Sequence, residues 1–250
     1  MSDPHPVVIV TGGSRGIGRC IVERLHNDGF SVLFTHSASP EEAREIEYAS
    51  TGSSWPVKAI QSDVTDPKAP NHLFNEAEKL GHVVGLVNNA GITGKLGPIT
   101  ELTDNDLNAV IAVNLTATVR LCREAAQRWL ASHPTINRSI INISSVAART
   151  GSPGEYVAYA ATKAAVETLS IGLAKELAAS GIRVNAVSPG TIDTTIHARA
   201  GEPGRAFRVA SRIPLGRPGR PQEIANAVAW LMSKESSYMT GSIMNVSGGL

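Results

Sequence analysis

The sequence predicts an α/β fold in which strand–helix–strand units build a parallel sheet. Short apolar, β-branched runs alternate with longer helical periods. Most of the runs are apolar almost throughout, as strands buried on both faces of a parallel sheet are. A glycine-rich turn joins the first run to the first helical period. No repeat, low-complexity tract or linker interrupts the alternation, so the 250 residues are expected to form one domain.

The elements follow in order. "VVIVT" (7–11) is the first strand and 16–28 the first helix, with Gly29 placed for a left-handed cap. "FSVLFT" (30–35) precedes a helix over 41–50, and "PVKAIQS" (56–62) precedes one over 68–80. "VVGLVNN" (83–89) leads to a long helical pattern, 104–132. "RSIINIS" (138–144) leads to another, 155–180, closed by Gly181. "IRVNAVS" (182–188) is the sixth strand, a helix covers 221–233, and "SIMNVS" (242–247) is the last strand. Crossovers between such strands are right-handed. The stretch from about 190 to 220 is irregular, and its place after a strand end marks it as a lid-like substrate loop.

Composition narrows the function. Hydrophobic residues make up 42% and charged residues 18%, enough for a large core. A net charge of +1, with no run of five like charges, argues against nucleic acid or an anionic membrane as partner. Cys20 and Cys122 form no CxxC pair and read as reduced, buried thiols. The seven histidines show no HExxH, so no metal is expected. "MSDPHP" lacks a signal-peptide pattern and no run approaches a membrane span, so a cytoplasmic protein is expected.

"VVIVTGGSRGIGR" orders a strand, a turn and a helix start, with Gly12, Gly16 and Gly18 at G-x-x-x-G-x-G spacing. Glycine there lets a pyrophosphate approach the main chain, and the helix N-terminus offers free N–H groups and positive dipole. Ser14, Arg15 and Ile17 fill the loop and are counted among the cofactor contacts. The second strand ends "FTHSAS", with no acid for a ribose 2′-hydroxyl before Glu41. Arg15, with His36 and Ser37, is instead suited to a 2′-phosphate, so NADP(H) is expected over NAD(H). Both Arg15 and His36 also read as plain surface residues.

Taken in series, "TGGSRGIG", "NNAG" (88–91), Asn114 in "AVNLTA", "ISS" (143–145), "YAATK" (159–163) and "VNAVSPG" (184–190) resemble the short-chain dehydrogenase/reductase family. The resemblance runs from Val7 to "TGSIMNVSGG". It implies a doubly wound Rossmann fold, a seven-stranded parallel sheet with helices on both faces. It also implies nicotinamide-dependent interconversion of a carbonyl and a secondary alcohol. By the same resemblance Asp63 and Val64 flank the adenine, with a turn-capping aspartate the other reading of Asp63. Asn89, Ala90 and Gly91 line the adenosine ribose, and Pro189, Gly190, Ile192 and Thr194 hold the nicotinamide carboxamide.

"EYVAYAATK" (155–163) holds the proton chemistry. Tyr159 and Lys163 lie four apart on one helical face, about 6 Å along the axis. A lysine ammonium that close favours the phenolate. Tyr156, seven before Lys163, reads as a pocket-wall residue. Ser145, rather than Ser144, matches the family's catalytic serine. It lies fourteen positions before Tyr159, one more than the commonest family spacing, and the extra residue fits in "GSPGEYV". Asn114, by resemblance, shapes a helical irregularity that holds a proton-relaying water towards Lys163.

The implied activity is hydride transfer between NADP(H) and a carbonyl, with Tyr159 as general acid/base, Ser145 polarising the oxygen and Lys163 on the nicotinamide ribose. Sugar or polyol oxidation with NAD(H), a non-enzymatic dinucleotide-binding regulator, and dehydration or epimerisation on the same scaffold are the alternatives. Pocket walls are expected near Thr93–Leu96, Val146–Ala147, Gly154–Tyr156 and His197. The cationic residues 199, 205, 208 and 212 suit an acidic substrate or a solvated face. The helices of 104–132 and 155–180 resemble the family's dimerisation helices, and with the C-terminal segment they imply a homotetramer.

Overall fold

A computed structural model describes residues 5–132, 137–194 and 202–250. Seven strands form one sheet in the order β3-β2-β1-β4-β5-β6-β7. They are β1 (Pro6–Val10), β2 (Ser31–His36), β3 (Val57–Gln61), β4 (His82–Asn88), β5 (Arg138–Ile143), β6 (Ile182–Pro189) and β7 (Ile243–Val246). Every neighbouring pair is parallel. The order reverses between β1 and β4, and the crevice beyond the carboxyl ends of strands at such a switch point is where ligands bind in this kind of sheet.

Alternate strand residues feed two separate cores. Val8 and Val10 of β1 face α1 (Gly16–Asn27), α2 (Pro40–Ala49) and a C-terminal helix over Pro221–Met232. Val7 and Ile9 face α3 (Ala69–Glu78) and the helices over Ala117–Ala131 and Val157–Leu177. Both faces of the central strands are thereby buried, which is why their sequences read as unbroken apolar runs.

Two helical expectations are revised. The pattern over 104–132 is broken into α4 (Asp104–Ile111), a wide π-helical turn over Ala112–Thr116, and α5 (Ala117–Ala131). Thr103 caps α4 by accepting the Asp106 N–H at 3.1 Å. The helix expected over 155–180 begins later, as α7 (Val157–Leu177), and tightens into a 3₁₀ turn at Ala178–Ser180 before Gly181 takes the left-handed cap. A one-turn helix, α6 (Ala147–Thr150), precedes it. The segment before α7 turns through Ser152, whose φ of 45° is the one left-handed backbone at a non-glycine among the described residues.

The described part of the irregular stretch carries α8 (Arg205–Arg208) and a 3₁₀ turn at Ala210–Arg212, and Ile192 bridges to Gly219 before α9 (Pro221–Met232). His197 and Arg199 lie outside the described residues. Cys122 is buried as expected, whereas Cys20 on α1 is only partly so. Among the described residues no helix is long and apolar enough to cross a membrane.

Candidate active site

One cavity of about 370 Å³ opens along the carboxyl ends of β1 to β6. The loop after β1 contributes Gly12, Ser14, Arg15, Gly16, Ile17 and Gly18. His36 and Ser37 come from the end of β2, and Asp63 and Val64 from the end of β3. Asn89, Ala90 and Gly91 follow β4, and Ser144 and Ser145 follow β5. Tyr159 and Lys163 enter from α7, and Pro189, Gly190, Ile192 and Thr194 from the end of β6. Asn114 does not line the cavity; it stands behind Gly91.

The glycine loop is held by Asn89 and by two threonines that sequence reasoning passed over. The Thr11 hydroxyl accepts the Asn89 and Ala90 N–H groups, both at 3.0 Å. The Asn89 amide returns hydrogen bonds to the carbonyls of Thr11 (2.9 Å) and Gly12 (3.0 Å). On the other side the Gly12 N–H donates to the Thr35 hydroxyl at 3.0 Å. The signal for Thr11 and Thr35 was only their place at strand ends. Gly12 has φ of +65°, a conformation that favours glycine. A Cβ on Gly18 would lie 2.1 Å from the Gly12 carbonyl oxygen, so only glycine lets the helix start this close to the turn.

These features fit a dinucleotide. The turn leaves main chain facing the cavity, and α1 begins there with no acidic residue in its first turn. His36 is buried rather than surface-exposed, and its Nδ1 has no hydrogen-bond partner. Arg15, half-buried, is the N-terminal boundary residue of α1. Asp63 lines the cavity and also caps its own turn, accepting the Thr65 N–H (2.9 Å) and hydroxyl (2.7 Å), so both readings of that residue hold geometrically.

The two serines after β5 part as expected. Ser144 is buried, and its hydroxyl donates to Glu167 at 2.8 Å. Ser145 lines the cavity, and its hydroxyl is within hydrogen-bonding reach of the Tyr159 phenol. Lys163 is buried, and its ammonium donates to the Ile143 carbonyl at 2.7 Å while lying 5.6 Å from the Tyr159 ring centre. Asn114 is buried in the π-helical turn, not capping or solvent-facing. Its Nδ2 donates to the Ile92 carbonyl (2.8 Å) and the Thr162 hydroxyl (3.1 Å), and its Oδ1 accepts the Ile92 N–H (2.9 Å). A Cβ on Gly91 would fall 3.3 Å from Asn114 Oδ1 and 3.4 Å from Lys163 Nζ, so the two flank that glycine.

One electrostatic expectation is corrected. Burial pushes the Tyr159 phenol up, and the hydrogen bond from Ser145 and the Arg205 charge offset this only in part. Lys163 is not what tunes it here. Its own ammonium is held down to about 8 by burial, and it is engaged with the Ile143 carbonyl.

A family model described as enoyl-(acyl carrier protein) reductase matches residues 12–250. The uncharacterized oxidoreductase YgfF of Escherichia coli is 41% identical over 244 residues, covering 97% of this chain and 99% of that one. The chain belongs to the short-chain dehydrogenase/reductase family. As a member of that family it is an NAD(P)-binding oxidoreductase that acts on CH–OH donors. The 3-oxoacyl-[acyl-carrier-protein] reductase FabG of Salmonella typhimurium is 36% identical, covering 100% of this chain and 99% of its own. A blue fluorescent protein from a metagenomic library, solved with NADPH, superposes with a TM-score of 0.88 at 35% identity, covering 98% of this chain and 97% of that one.

The family resemblance did not single out Tyr156 and Arg205 together, yet both line the cavity. Of the other expected wall residues, Thr93, Val146 and Ala147 also line it. Lys95 and Leu96 line an adjoining hollow, and Gly154 lines neither. Arg208 and Arg212 point to exposed surroundings.

The buried lysine carries a stability signature. The unfolded chain holds this proton up to the ordinary lysine value of 10.5, whereas the folded chain releases it from about 8. The unfolded state binds more protons between these values, so this group makes folding more favourable as pH rises through that window. Denaturant unfolding at about pH 7.5 and about pH 9.5 should show a gain for the wild type that Lys163→Met lacks. An equal pH response in both proteins would remove the assignment.

Proposed function

We propose that this chain is an NADP(H)-dependent oxidoreductase that interconverts a carbonyl and a secondary alcohol. The observation that carries the reading is the convergence of the Ser145 hydroxyl on the Tyr159 phenol inside the dinucleotide cavity, with Lys163 one helical turn on. Bound there, the dinucleotide supplies or accepts hydride. Tyr159 holds its proton at neutral pH, since burial pushes its phenol up, and so stands ready as general acid for the developing alkoxide. Ser145 polarises the carbonyl oxygen and stabilises the phenolate left after transfer. Lys163 would hold the nicotinamide ribose, and its value near 8 lets it pass protons at little cost. Asn114, wedged in its π-helical turn beside Gly91, anchors the relay behind Lys163. These groups act through position and charge. The segment carrying α8 serves as the substrate lid. Tyr159→Phe should lower kcat by at least about a hundredfold, the usual scale for losing a general acid. Cofactor affinity should stay near wild type, and retention of most of the turnover in that variant would remove Tyr159 from the role.

The preference for NADP(H) rests on residues at the far end of the cavity. β2 ends in His36, not an acid, and that histidine is buried with a free Nδ1. Arg15, in the glycine loop, lines the same cavity with no ion pair to any described carboxylate, suited to a 2′-phosphate. The NADPH held by the metagenomic relative supports the same choice. Fluorescence titration should find NADPH bound more tightly than NADH. Arg15→Ala should weaken NADPH by about tenfold, the scale of one charge-assisted hydrogen bond, with a smaller effect on NADH. Tighter binding of NADH by the wild type would overturn the preference.

The substrate class is open between the relatives' chemistries. FabG's name denotes reduction of a 3-oxoacyl group and the family model's description that of an enoyl group. The pairing of Ser145 with Tyr159 suits the oxyanion that develops in carbonyl reduction.

We further propose a homotetramer built on α5 and α7. Val119 and Leu130 on α5, and Val157 and Ile171 on α7, leave apolar side chains 37–54% exposed, as helices awaiting a partner do. Sedimentation should return four chains; a stable monomer at micromolar concentration would exclude this.

A further inference from the structure

The lid segment brings one cation to the catalytic wall. Arg205, on α8, lines the same cavity as Tyr159, and its side chain is only 14% exposed. Its guanidinium lies 5.5 Å from the centre of the Tyr156 ring. That ring meets the Tyr159 ring edge-on, with centres 6.5 Å apart. Glu155, just before α7, ion-pairs with Arg205 and so ties α8 to the catalytic helix. Arg208 reaches the same carboxylate at 3.7 Å, and Glu202 stands 3.9 Å from the Arg205 Nε. Neither glutamate lines the cavity. The cation is at the wall, and its acids are set back from it.

The other charged groups around Tyr159 are poorly placed to act on its phenol. Lys163 donates to the Ile143 carbonyl, and its value near 8 leaves it largely neutral at the alkaline pH where phenols ionise. Lys95, Glu101 and Asp106 border the adjoining hollow, which Tyr159 also lines. Lys95 and Glu101 are exposed, where water and salt screen them. Asp106 accepts the Thr103 hydroxyl at 2.7 Å in the cap of α4. Tyr156 senses Arg205, Arg208, Glu155 and Glu202, whereas of these four Tyr159 senses Arg205 alone. A guanidinium also keeps its charge at every pH the fold survives.

The proton balance gives this charge a use. In reduction the substrate carbon takes hydride from the dinucleotide, and its oxygen takes the Tyr159 proton. A phenolate is then left in a buried site, where charge is costly. Oxidation starts from that phenolate and returns the proton to it. We propose that Arg205 is a positioning residue: the lid brings its guanidinium to the catalytic end of the cavity to stabilise the negative charge on Tyr159. The seated lid thereby completes the electrostatics of the proton donor as well as covering the substrate. The inference rests on the carbonyl-reductase reading above.

The test reads the phenol at position 159 alone. A ring fluorine is placed on Tyr159 in the full chain, and its ionisation is followed by fluorine NMR as pH rises. The fluorine acidifies the phenol, which moves the titration away from alkaline unfolding. The same label is read in Arg205→Gln, Arg205→Met and Arg205→Lys. Both neutral variants should titrate about one pH unit above the wild-type chain, the low end of what a nearby opposite charge does. Arg205→Lys should keep the wild-type titration to within about a third of that shift. Lysine retains the charge but loses the forked contact with Glu155, so a merely structural role would move it with the other two. No shift in the neutral variants overturns the proposal, as does an equal shift in all three. Oxidation of 2-heptanol with NADP⁺ should show the same displacement in the pH profile of kcat/KM, and an unmoved profile in the neutral variants overturns the proposal too. If the wild type oxidises neither 2-heptanol nor cyclohexanol and reduces neither ketone, the reductase reading fails. The fluorine titration then still decides whether Arg205 holds charge on Tyr159.

Discussion

The structure depends on the knot between the ends of β1 and β4. One hydroxyl, Thr11, accepts two consecutive main-chain N–H groups, and one amide, Asn89, donates back to two consecutive carbonyls. These are the ends of the two strands at which the sheet order reverses. Without these bonds, buried polar main chain at the switch point would lack partners, and the crevice would have no fixed width. The glycine turn, the start of α1 and the Asn89–Gly91 segment all take their places from this knot. The cavity follows from it.

On the opposite wall the governing term is desolvation. Burial raises the phenol of Tyr159 and lowers the ammonium of Lys163, so each neutral form is favoured. A tyrosine kept protonated and a lysine brought towards neutrality make a pair that can pass a proton in either direction. Behind them, a buried polar chain runs from Asn88 to Asn142 (2.8 Å) and on to Ser170 (2.8 Å), fixing α7 against the sheet. Cys122 borders this chain, and burial pushes its thiol up to about 12, which makes it a packing residue rather than a reactive one.

The five strands inside the sheet were legible because both their faces are covered, and unbroken apolar runs are the direct imprint of that burial; β3 and β7, at the edges, are only partly buried. The glycine loop was legible because backbone geometry leaves no substitute at Gly12 or Gly18. The π-helical turn at Asn114 was legible only through family resemblance, since a wide turn leaves no periodicity of its own inside the long helical pattern of 104–132. α6 escaped for the same reason: four residues carry too little pattern. Tyr156 and Arg205 escaped as a pair because they are far apart in sequence, and nothing local couples them.

The sequence by itself determined the α/β order, the strands, the glycine turn and the i, i+4 placement of Tyr159 and Lys163. Each is a local property of spacing, sterics or hydrophobic period, and survives without knowledge of neighbours. Tertiary structure alone decided the sign of the shift at Tyr159. Spacing places a charge near a phenol, but the balance between that charge and the loss of water is set by everything packed around them. It also decided that His36 is buried and that the Tyr156 hydroxyl is buried with no partner. Desolvation is a property of the assembled fold, and no stretch of sequence carries it alone.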